Sequence, residues 1–384
     1  MDETYTPPKL GEGRISGGFS VALGLLCVLA VLCLRYPSWL TTPELHMQYR
    51  AYLDVLRLIL AITMGVAVVL ALISFLLNRR KHMGAIGISA VLLAMLLGGP
   101  YAPQAEYRAS STYLGLDWLV LDLFFTGVAF ITLERIFPRV VPEQHILRPG
   151  WRMDLAYFGV NHLAIGAFLL ISNHFAHGLF GWAVSPTVQG FVQSMPGIVR
   201  FVLVILAADL VEYTLHRTLH EVPWLWRIHA VHHSPSHMDW LSGSRLHVTE
   251  ILLTRSLILV PIFLLGFPQD TIFAYVIFVS IQSVVIHSNI AWDLGWLRYV
   301  LVTPHYHHWH HASDEEALDR NYCAHTPLWD YVFRTAHMPK GRWPRSYGTV
   351  KPIPGNFFKQ LIYPFMEPVE LLVANAGPKS TRTK

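Results

Sequence analysis

Charged residues are scarce in this chain, and their scarcity excludes an ordinary soluble domain. Asp, Glu, Lys and Arg make up 14% of the 384 residues, whereas soluble domains carry roughly 25%. Hydrophobic residues make up 53% of the chain, and many of them form long runs without charge. The composition therefore predicts an integral membrane protein.

Paired cysteines and basic stretches are also lacking. Two of the three cysteines, Cys27 and Cys33, lie in the first apolar run, and Cys323 stands alone, so no disulfide framework is expected. The net charge is only +4, and no basic stripe alternates with aromatic residues. Such a stripe is the usual footprint of a nucleic-acid-binding protein. We therefore expect no nucleic-acid partner.

Eight apolar runs have the length and composition of membrane helices or come close to it. The first is too long for a signal-peptide core and lacks a small-residue cleavage site, so we interpret it as a retained membrane helix. The eight runs are 15–34, 58–77, 83–98, 116–133, 155–171, 201–215, 251–267 and 271–286.

The distribution of Lys and Arg predicts the orientation of these runs. With the N-terminus inside and eight crossings, most of the 29 basic residues fall on the cytoplasmic side. The same topology places the loop 216–250 and the chain after 287 together on that side. This result is unchanged if 251–286 forms a re-entrant hairpin that does not cross.

Histidine is the residue in excess, with 21 copies. The motif "HRTLH" places His216 and His220 four residues apart, and "HAVHH" and "HHWHH" each place three histidines at i, i+3 and i+4. On a helix, both spacings put the rings on one face. The second and third motifs contribute His229, His232, His233, His307, His310 and His311. Eight imidazoles would supply about four ligands to each of two metal ions.

The residues leave the identity of the metal open, because imidazole binds zinc, copper, iron and nickel. The zinc-protease motif H-E-x-x-H is absent, since Arg217 follows His216 at the position of the glutamate. Eight neutral ligands leave the positive charge of two ions uncompensated, so the site could hold anionic oxygen species or a bridging hydroxide. This favours a redox pair over a single hydrolytic zinc.

The order of these motifs carries a resemblance. The stretches "HRTLHEVPWLWRIHAVHHS", "RLHVTE", "HSN" and "TPHYHHWHH", followed by "NYC" and "PLWDYVF", resemble the fatty acid hydroxylase and sterol desaturase superfamily of membrane di-iron oxygenases. The similarity runs from about residue 116 to about residue 348. It implies an all-α fold, a multi-spanning membrane helical bundle with a cytosolic histidine-rich cap that holds two iron ions. The family's ligands fall on His216, His220, His229, His232, His233, His307, His310 and His311, with His287 as a ninth candidate.

The resemblance also implies the reaction and the partners. The protein would hydroxylate or desaturate a membrane lipid with O₂ as co-substrate. The sequence contains no flavin, haem or dinucleotide-binding motif, so the electrons would come from a cytochrome or ferredoxin with its reductase. We expect three parts: a membrane-helix extension (1–110), the hydroxylase-like domain (111–348) and a cytosolic tail (349–384).

Acidic residues near the histidines are candidates for supporting roles. Asp209 and Glu212 precede His216 by seven and four residues, so they lie near its face of the same helix and could bond its second ring nitrogen. Acidic residues inside a membrane are costly and are therefore functional candidates. Asn321 and Glu250 are further candidates, and we group Asp209, Glu212 and Asn321 as candidate catalytic residues.

The remaining histidines are expected to play other roles. His247 is either a ligand or a structural cap. His174 and His177 fall on the opposite membrane face in the predicted topology, which excludes them from the metal site. Neighbouring or surface positions are expected for His237, His305, His308 and His325.

Two other functions remain open from the sequence. A metal transporter or sensor would also use histidines, although it would favour ionisable residues inside several mid-membrane segments. A zinc-dependent lipid hydrolase could use the same cluster. The identity of the bound metal separates these alternatives from an oxygenase.

Cysteines introduced next to His220, His233 and His310 should react with a membrane-impermeant maleimide only from the cytoplasmic side, because the positive-inside rule places all three there. A cysteine next to His174 should react only from the opposite side. The measurement compares intact cells with inverted membrane vesicles. Labelling of the position next to His174 together with the other three would show that the predicted crossings between residues 155 and 215 are wrong.

Overall fold

The computed structural model describes residues 13–78, 81–107, 113–139, 148–292 and 294–366. The predicted boundary at residue 110 and the last part of the predicted tail, 367–384, lie outside the described residues. Contacts between residues divide the chain into two compact units, Met1–Leu123 and Phe124–Lys384. The three predicted parts therefore stay a prediction.

All regular elements in these ranges are helical, apart from two isolated β-bridges, which confirms the all-α prediction. The α-helices are α1 (Arg14–Arg35), α2 (Pro37–Leu40), α3 (Pro43–Ala51), α4 (Leu53–Leu77), α5 (His82–Leu96), α6 (Leu116–Ile136), α7 (Trp151–Phe180), α8 (Pro186–Ser194), α9 (Gly197–Glu221), α10 (Pro223–His229), α11 (Val248–Leu265), α12 (Gln269–His287), α13 (Pro304–His310), α14 (Leu328–Phe333) and α15 (Phe357–Ile362).

Among the described residues, seven helical segments are long and apolar enough to cross a membrane. They are Ile15–Arg35, Leu53–Leu77, His82–Tyr101, Leu116–Ile136, Trp151–Ala183, Val248–Leu265 and Gln269–His287. The eighth predicted run, 201–215, lies inside α9. This helix is not among the seven candidate spans, because Arg200, Asp209 and Glu212 interrupt its apolar sequence. The structure thus supports an integral membrane protein with one fewer candidate span than predicted.

In the first unit, α1, α4 and α5 pack through small residues, as membrane helices commonly do. A Cβ atom on Gly87 would lie 2.0 Å from Ser20 Oγ, so only glycine permits α5 to approach α1 this closely. The Ser20 hydroxyl donates a hydrogen bond to the Ala67 carbonyl oxygen at 2.8 Å and thereby joins α1 to α4. The core between the three helices includes Cys27 and Val31.

In the second unit, α11 packs against α7 and α9, and α12 packs against α9 and α13. An apolar core that includes Val204, Ile258 and Tyr275 fills the space between α9, α11 and α12. The short helices α10 and α13 follow the ends of longer helices and carry histidines. The long helices therefore fix the positions from which the histidine-bearing segments start.

A buried ionic network fixes the start of α7 to the loop before α11. Arg148 bonds Asp154 at 2.7 Å and Asp239 at 2.6 Å, and Arg245 bonds the other oxygen of Asp154 at 2.5 Å. Asp154 is completely buried. Buried charges are costly unless they are paired and hydrogen-bonded, so this network holds the loop 239–245 in one place.

Candidate metal centre

The structure brings all nine predicted histidines together in two groups, each with its ligand nitrogens within 4.8 Å of one another. The first group is His216, His220, His229, His233 and His310, and the second is His232, His287, His307 and His311. Each group is able to bind a metal ion. That these nine residues are the ligands stays a prediction.

Each H-x-x-H-H motif is divided between the groups. His307 on α13 and His311, which directly follows this helix, join the second group, while His310 joins the first. The other motif is divided in the same way, with His229 and His233 in the first group and His232 in the second. The prediction of one shared face was too simple. Positions i and i+4 lie close together around a helix, but i+3 lies about 100° from i+4 and points to the neighbouring group.

Fixed backbone acceptors orient four of the rings. In each of these rings the Nδ1 atom faces a backbone carbonyl oxygen. The pairs are His216 with Tyr322 (2.6 Å), His232 with Arg245 (3.1 Å), His287 with Ser283 (2.7 Å) and His310 with Arg320 (2.8 Å). A carbonyl oxygen only accepts a hydrogen bond, so each Nδ1 carries the hydrogen. Each Nε2 is then left with a bare lone pair.

The Nε2 atoms converge in both groups. In the first group the separations are 2.9 Å for His216–His229 and 3.1 Å for His229–His233. In the second they are 3.3 Å for His232–His287, 3.0 Å for His287–His307 and 3.1 Å for His307–His311. The Nε2 atoms of His220 and His310 are buried without a hydrogen-bond partner among the described residues.

These separations fit metal ions. Nitrogen ligands lie about 2.0–2.1 Å from a bound ion such as zinc, which sets neighbouring ligands about 2.9 Å apart at right angles and about 3.4 Å apart at tetrahedral corners. Two bare lone pairs that face each other at such a distance, as those of His232 and His287 do, repel. A cation between them turns this repulsion into attraction, so the donor set of each group suits one metal ion.

Burial keeps the imidazoles neutral. Removal from water lowers the pKa of His216 to about 4. It also lowers the pKa of the other members of the two groups that lie outside the candidate spans well below 6.5, and repulsion from neighbouring imidazoles adds to the effect. These are His220, His229, His232, His233, His307, His310 and His311. Neutral imidazole is the form that binds metal.

Glu250 contacts the first group. Its Oε1 lies 2.8 Å from Nδ1 of His229, and its Oε2 is buried without a hydrogen-bond partner among the described residues. A carboxylate on the second nitrogen of a ligating histidine fixes the ring and makes it a stronger donor. The sequence indicated Glu250 only as a secondary candidate, because it lies 21 residues after His229 in the chain.

The three candidate catalytic residues bond elsewhere. Asp209 accepts hydrogen bonds from the backbone N–H groups of 324–326 and from the hydroxyl of Thr326, at 2.8–3.3 Å. Glu212 lies 3.5 Å from Nε2 of His325.

Asn321 has a left-handed backbone (φ 59) and donates hydrogen bonds to the carbonyl oxygens of Tyr306 and His337. Asp209 and Asn321 thus hold the backbone beside the histidines, whereas the Tyr322 carbonyl, not an acidic side chain, bonds the His216 ring. A catalytic role for Asp209, Glu212 and Asn321 stays a prediction.

Other histidines lie outside the two groups. His247 caps α11, where its ring accepts a hydrogen bond from the Thr249 N–H at 3.2 Å and donates one to the Leu361 carbonyl at 3.0 Å. Of its two predicted roles, ligand or structural cap, the structure therefore favours the cap. His174 bonds its own helix and His177 packs on Phe263.

Among the neighbours of the cluster, His305 donates a hydrogen bond to the Arg342 carbonyl at 2.7 Å. His237 contacts Ser236 at the surface, and His325 lies between Glu212 and Tyr275. His308 is fully buried and bonds backbone carbonyls rather than other histidine rings.

Comparison with known proteins supports the resemblance found in the motifs. Residues 201–335 match the family model described as fatty acid hydroxylase. The ornithine lipid hydroxylase OlsE of Rhizobium tropici is 28% identical over 184 residues, which cover 48% of this chain and 56% of that protein. No solved structure matches the chain.

Alkylglycerol monooxygenases are also similar. That of Danio rerio is 30% identical over 168 residues, which cover 43% of this chain and 36% of the relative. That of Homo sapiens is 30% identical over 130 residues, which cover 34% of this chain and 29% of the relative. The chain thus spans about half of the first relative's length and about a third of the others'.

The metal-free protein should lose stability as the pH falls below about 6.5. The unfolded chain then binds protons that the buried histidines do not, so the free energy of unfolding falls by up to about 1.4 kcal/mol per pH unit for each such histidine. Thermal unfolding of chelator-treated protein at pH 7.5 and pH 5.5 measures the effect. Equal midpoints at the two pH values would contradict the neutral, buried cluster.

Proposed function

Residues 201–335 match the fatty acid hydroxylase family model, and from that premise we propose that the protein is a membrane di-iron oxygenase that hydroxylates a lipid. Desaturation of the same substrate is the second outcome that this chemistry allows. The observation that carries the proposal is the division of nine histidines, eight of them buried, into two adjoining groups.

Two irons are the proposed occupants, one in each group. Nine histidine nitrogens oversupply a single tetrahedral ion, which takes four ligands. Reduced iron at such a centre supplies the activation of O₂ that attack on an unactivated C–H bond requires.

The protein's own residues orient the ligands and exclude water. Carbonyl oxygens hold Nδ1–H of four rings, as described above, and Glu250 holds the ring of His229. All nine histidines except His220 are buried. Glu250 also gives the first group a carboxyl side chain on the second nitrogen of one of its rings.

A lipid substrate is supported by the surroundings and the relatives. The second unit contains long apolar helices that lead directly to histidines, since α12 ends at His287 and α9 carries His216 and His220 near its end. A hydrocarbon chain in the bilayer could therefore reach the centre laterally. The relatives are described as acting on an ornithine lipid and on alkylglycerols, so we propose a lipid with a polar head group.

Electrons are proposed to come from a separate protein, a cytochrome or ferredoxin with its reductase, because the chain has no motif for a redox cofactor of its own. The histidine cluster is proposed to face the cytoplasm, where such a donor would reach it.

The arrangement favours an oxygenase over the two alternatives. A transporter or sensor needs ligands that exchange ions along a path, whereas these histidines converge in two closed, buried groups. A zinc hydrolase needs one ion with an open position, and the second group would then have no role.

Lipid mass spectrometry of cells with and without the protein tests the function. We expect a lipid that gains the mass of one oxygen atom, or loses two hydrogen atoms, only when the protein is present. His310→Ala should abolish the product, because it removes a nitrogen from the first group.

His305→Ala is the matched control on the same helix, since that ring bonds the Arg342 carbonyl and not the cluster, and it should retain the product. Identical lipid profiles with and without the unsubstituted protein in a strain that supplies the electron donors would contradict the proposal.

A further inference from the structure

His308 is the second residue of the "HHWHH" motif but faces away from both groups. Its side chain is fully buried, and its Nε2 lies 3.0 Å from the carbonyl oxygen of Ser288 and 3.3 Å from that of His287. Residue 308 therefore contacts the backbone that carries a histidine of the second group.

Two donors determine which nitrogen of His308 carries the hydrogen. The Tyr347 hydroxyl lies 2.8 Å from Nδ1, and the guanidinium of Arg139 lies 3.2 Å from the same atom. Arg139 only donates, so Nδ1 accepts and Nε2 carries the hydrogen. That hydrogen is directed to the carbonyl oxygens at the end of α12.

Arg139 is itself held on several sides. It donates to the carbonyl oxygen of Pro344 at 3.0 Å and to the Tyr347 hydroxyl, and it stacks 4.7 Å from the centre of the Trp343 ring. Its backbone N–H donates to the Asn289 carbonyl at 3.1 Å. The same arginine thus contacts both His308 and the segment that follows α12.

The end of α12 needs such a contact, because the last carbonyl groups of a helix have no partner within the helix. His287 is the last residue of α12, and Ser288 has already left the helical conformation. Among the residues that the structure describes, the ring of His287 bonds Ser283 of its own helix and the rings of the cluster. Its position therefore depends on where α12 ends.

We propose that His308 is a positioning residue for the second group, which places His287 by donating a hydrogen bond to the carbonyl oxygens of His287 and Ser288 at the end of α12. Arg139 and Tyr347 support it by keeping the hydrogen on Nε2. The inference rests on the proposed function, in which the second group binds iron. In this arrangement α13 and the residue that follows it supply two histidines to the group, and α13 also holds the helix that supplies a third.

Substitutions at residue 308 separate positioning from simple filling of space. The amide nitrogen of glutamine can reach the place of Nε2, whereas that of asparagine reaches only the place of Nδ1. His308→Gln should therefore keep the bond to the carbonyls, and His308→Asn and His308→Ala should lose it. His305→Ala is the control, because it removes another histidine of α13, whose ring bonds the Arg342 carbonyl.

The experiment titrates chelator-treated full-length protein in detergent with ferrous iron alone under argon and counts the bound iron. In His308→Asn and His308→Ala, one of two binding steps should weaken about 10–100-fold, as losses of residues that orient ligands typically do, while the other step is retained. His308→Gln and His305→Ala should bind iron as the unsubstituted protein does. Size-exclusion chromatography establishes that each variant is folded.

Two results would overturn the inference alone: unchanged iron binding in folded His308→Asn and His308→Ala, or a folded His308→Gln that loses iron to the same extent as asparagine. If the asparagine and alanine variants do not fold, the glutamine variant still decides. Absence of iron binding in the unsubstituted protein would instead overturn the proposed function, and this inference with it.

Discussion

The convergence of unprotonated imidazole nitrogens in a buried site is the constraint on which the rest of the second unit depends. Nε2 atoms lie 2.9–3.3 Å apart in both groups, a spacing at which bare lone pairs repel. The protein supports this arrangement by keeping the rings neutral and by fixing several Nδ1–H groups on acceptors. The acceptors of these Nδ1–H groups are backbone carbonyls and Glu250, which the surrounding structure holds in place.

The scaffold supplies these acceptors from distant parts of the chain. Arg245, whose carbonyl oxygen faces the His232 ring, also belongs to the buried network with Asp154. Asp209 holds the loop just after Tyr322, whose carbonyl oxygen faces the His216 ring. Residues that hold these acceptors in place, such as Asp154 and Asp209, can therefore determine where the rings lie.

Much of the site could be predicted from sequence spacing, because helical i, i+4 pairs such as His216 and His220 are local features. The division of each H-x-x-H-H motif was missed, since it depends on where the second helix lies. The acceptors of Nδ1 were also missed. Backbone carbonyls such as that of Tyr322 carry no residue-specific signal, and Asp209 was expected at the His216 ring only because both share a helix face.

Metal analysis of the protein purified from iron-replete cells tests the central claim most directly. The account predicts about two irons per chain, one for each group of histidines, and a loss of iron in His310→Ala. A single zinc per chain that remains bound in His310→Ala would contradict it.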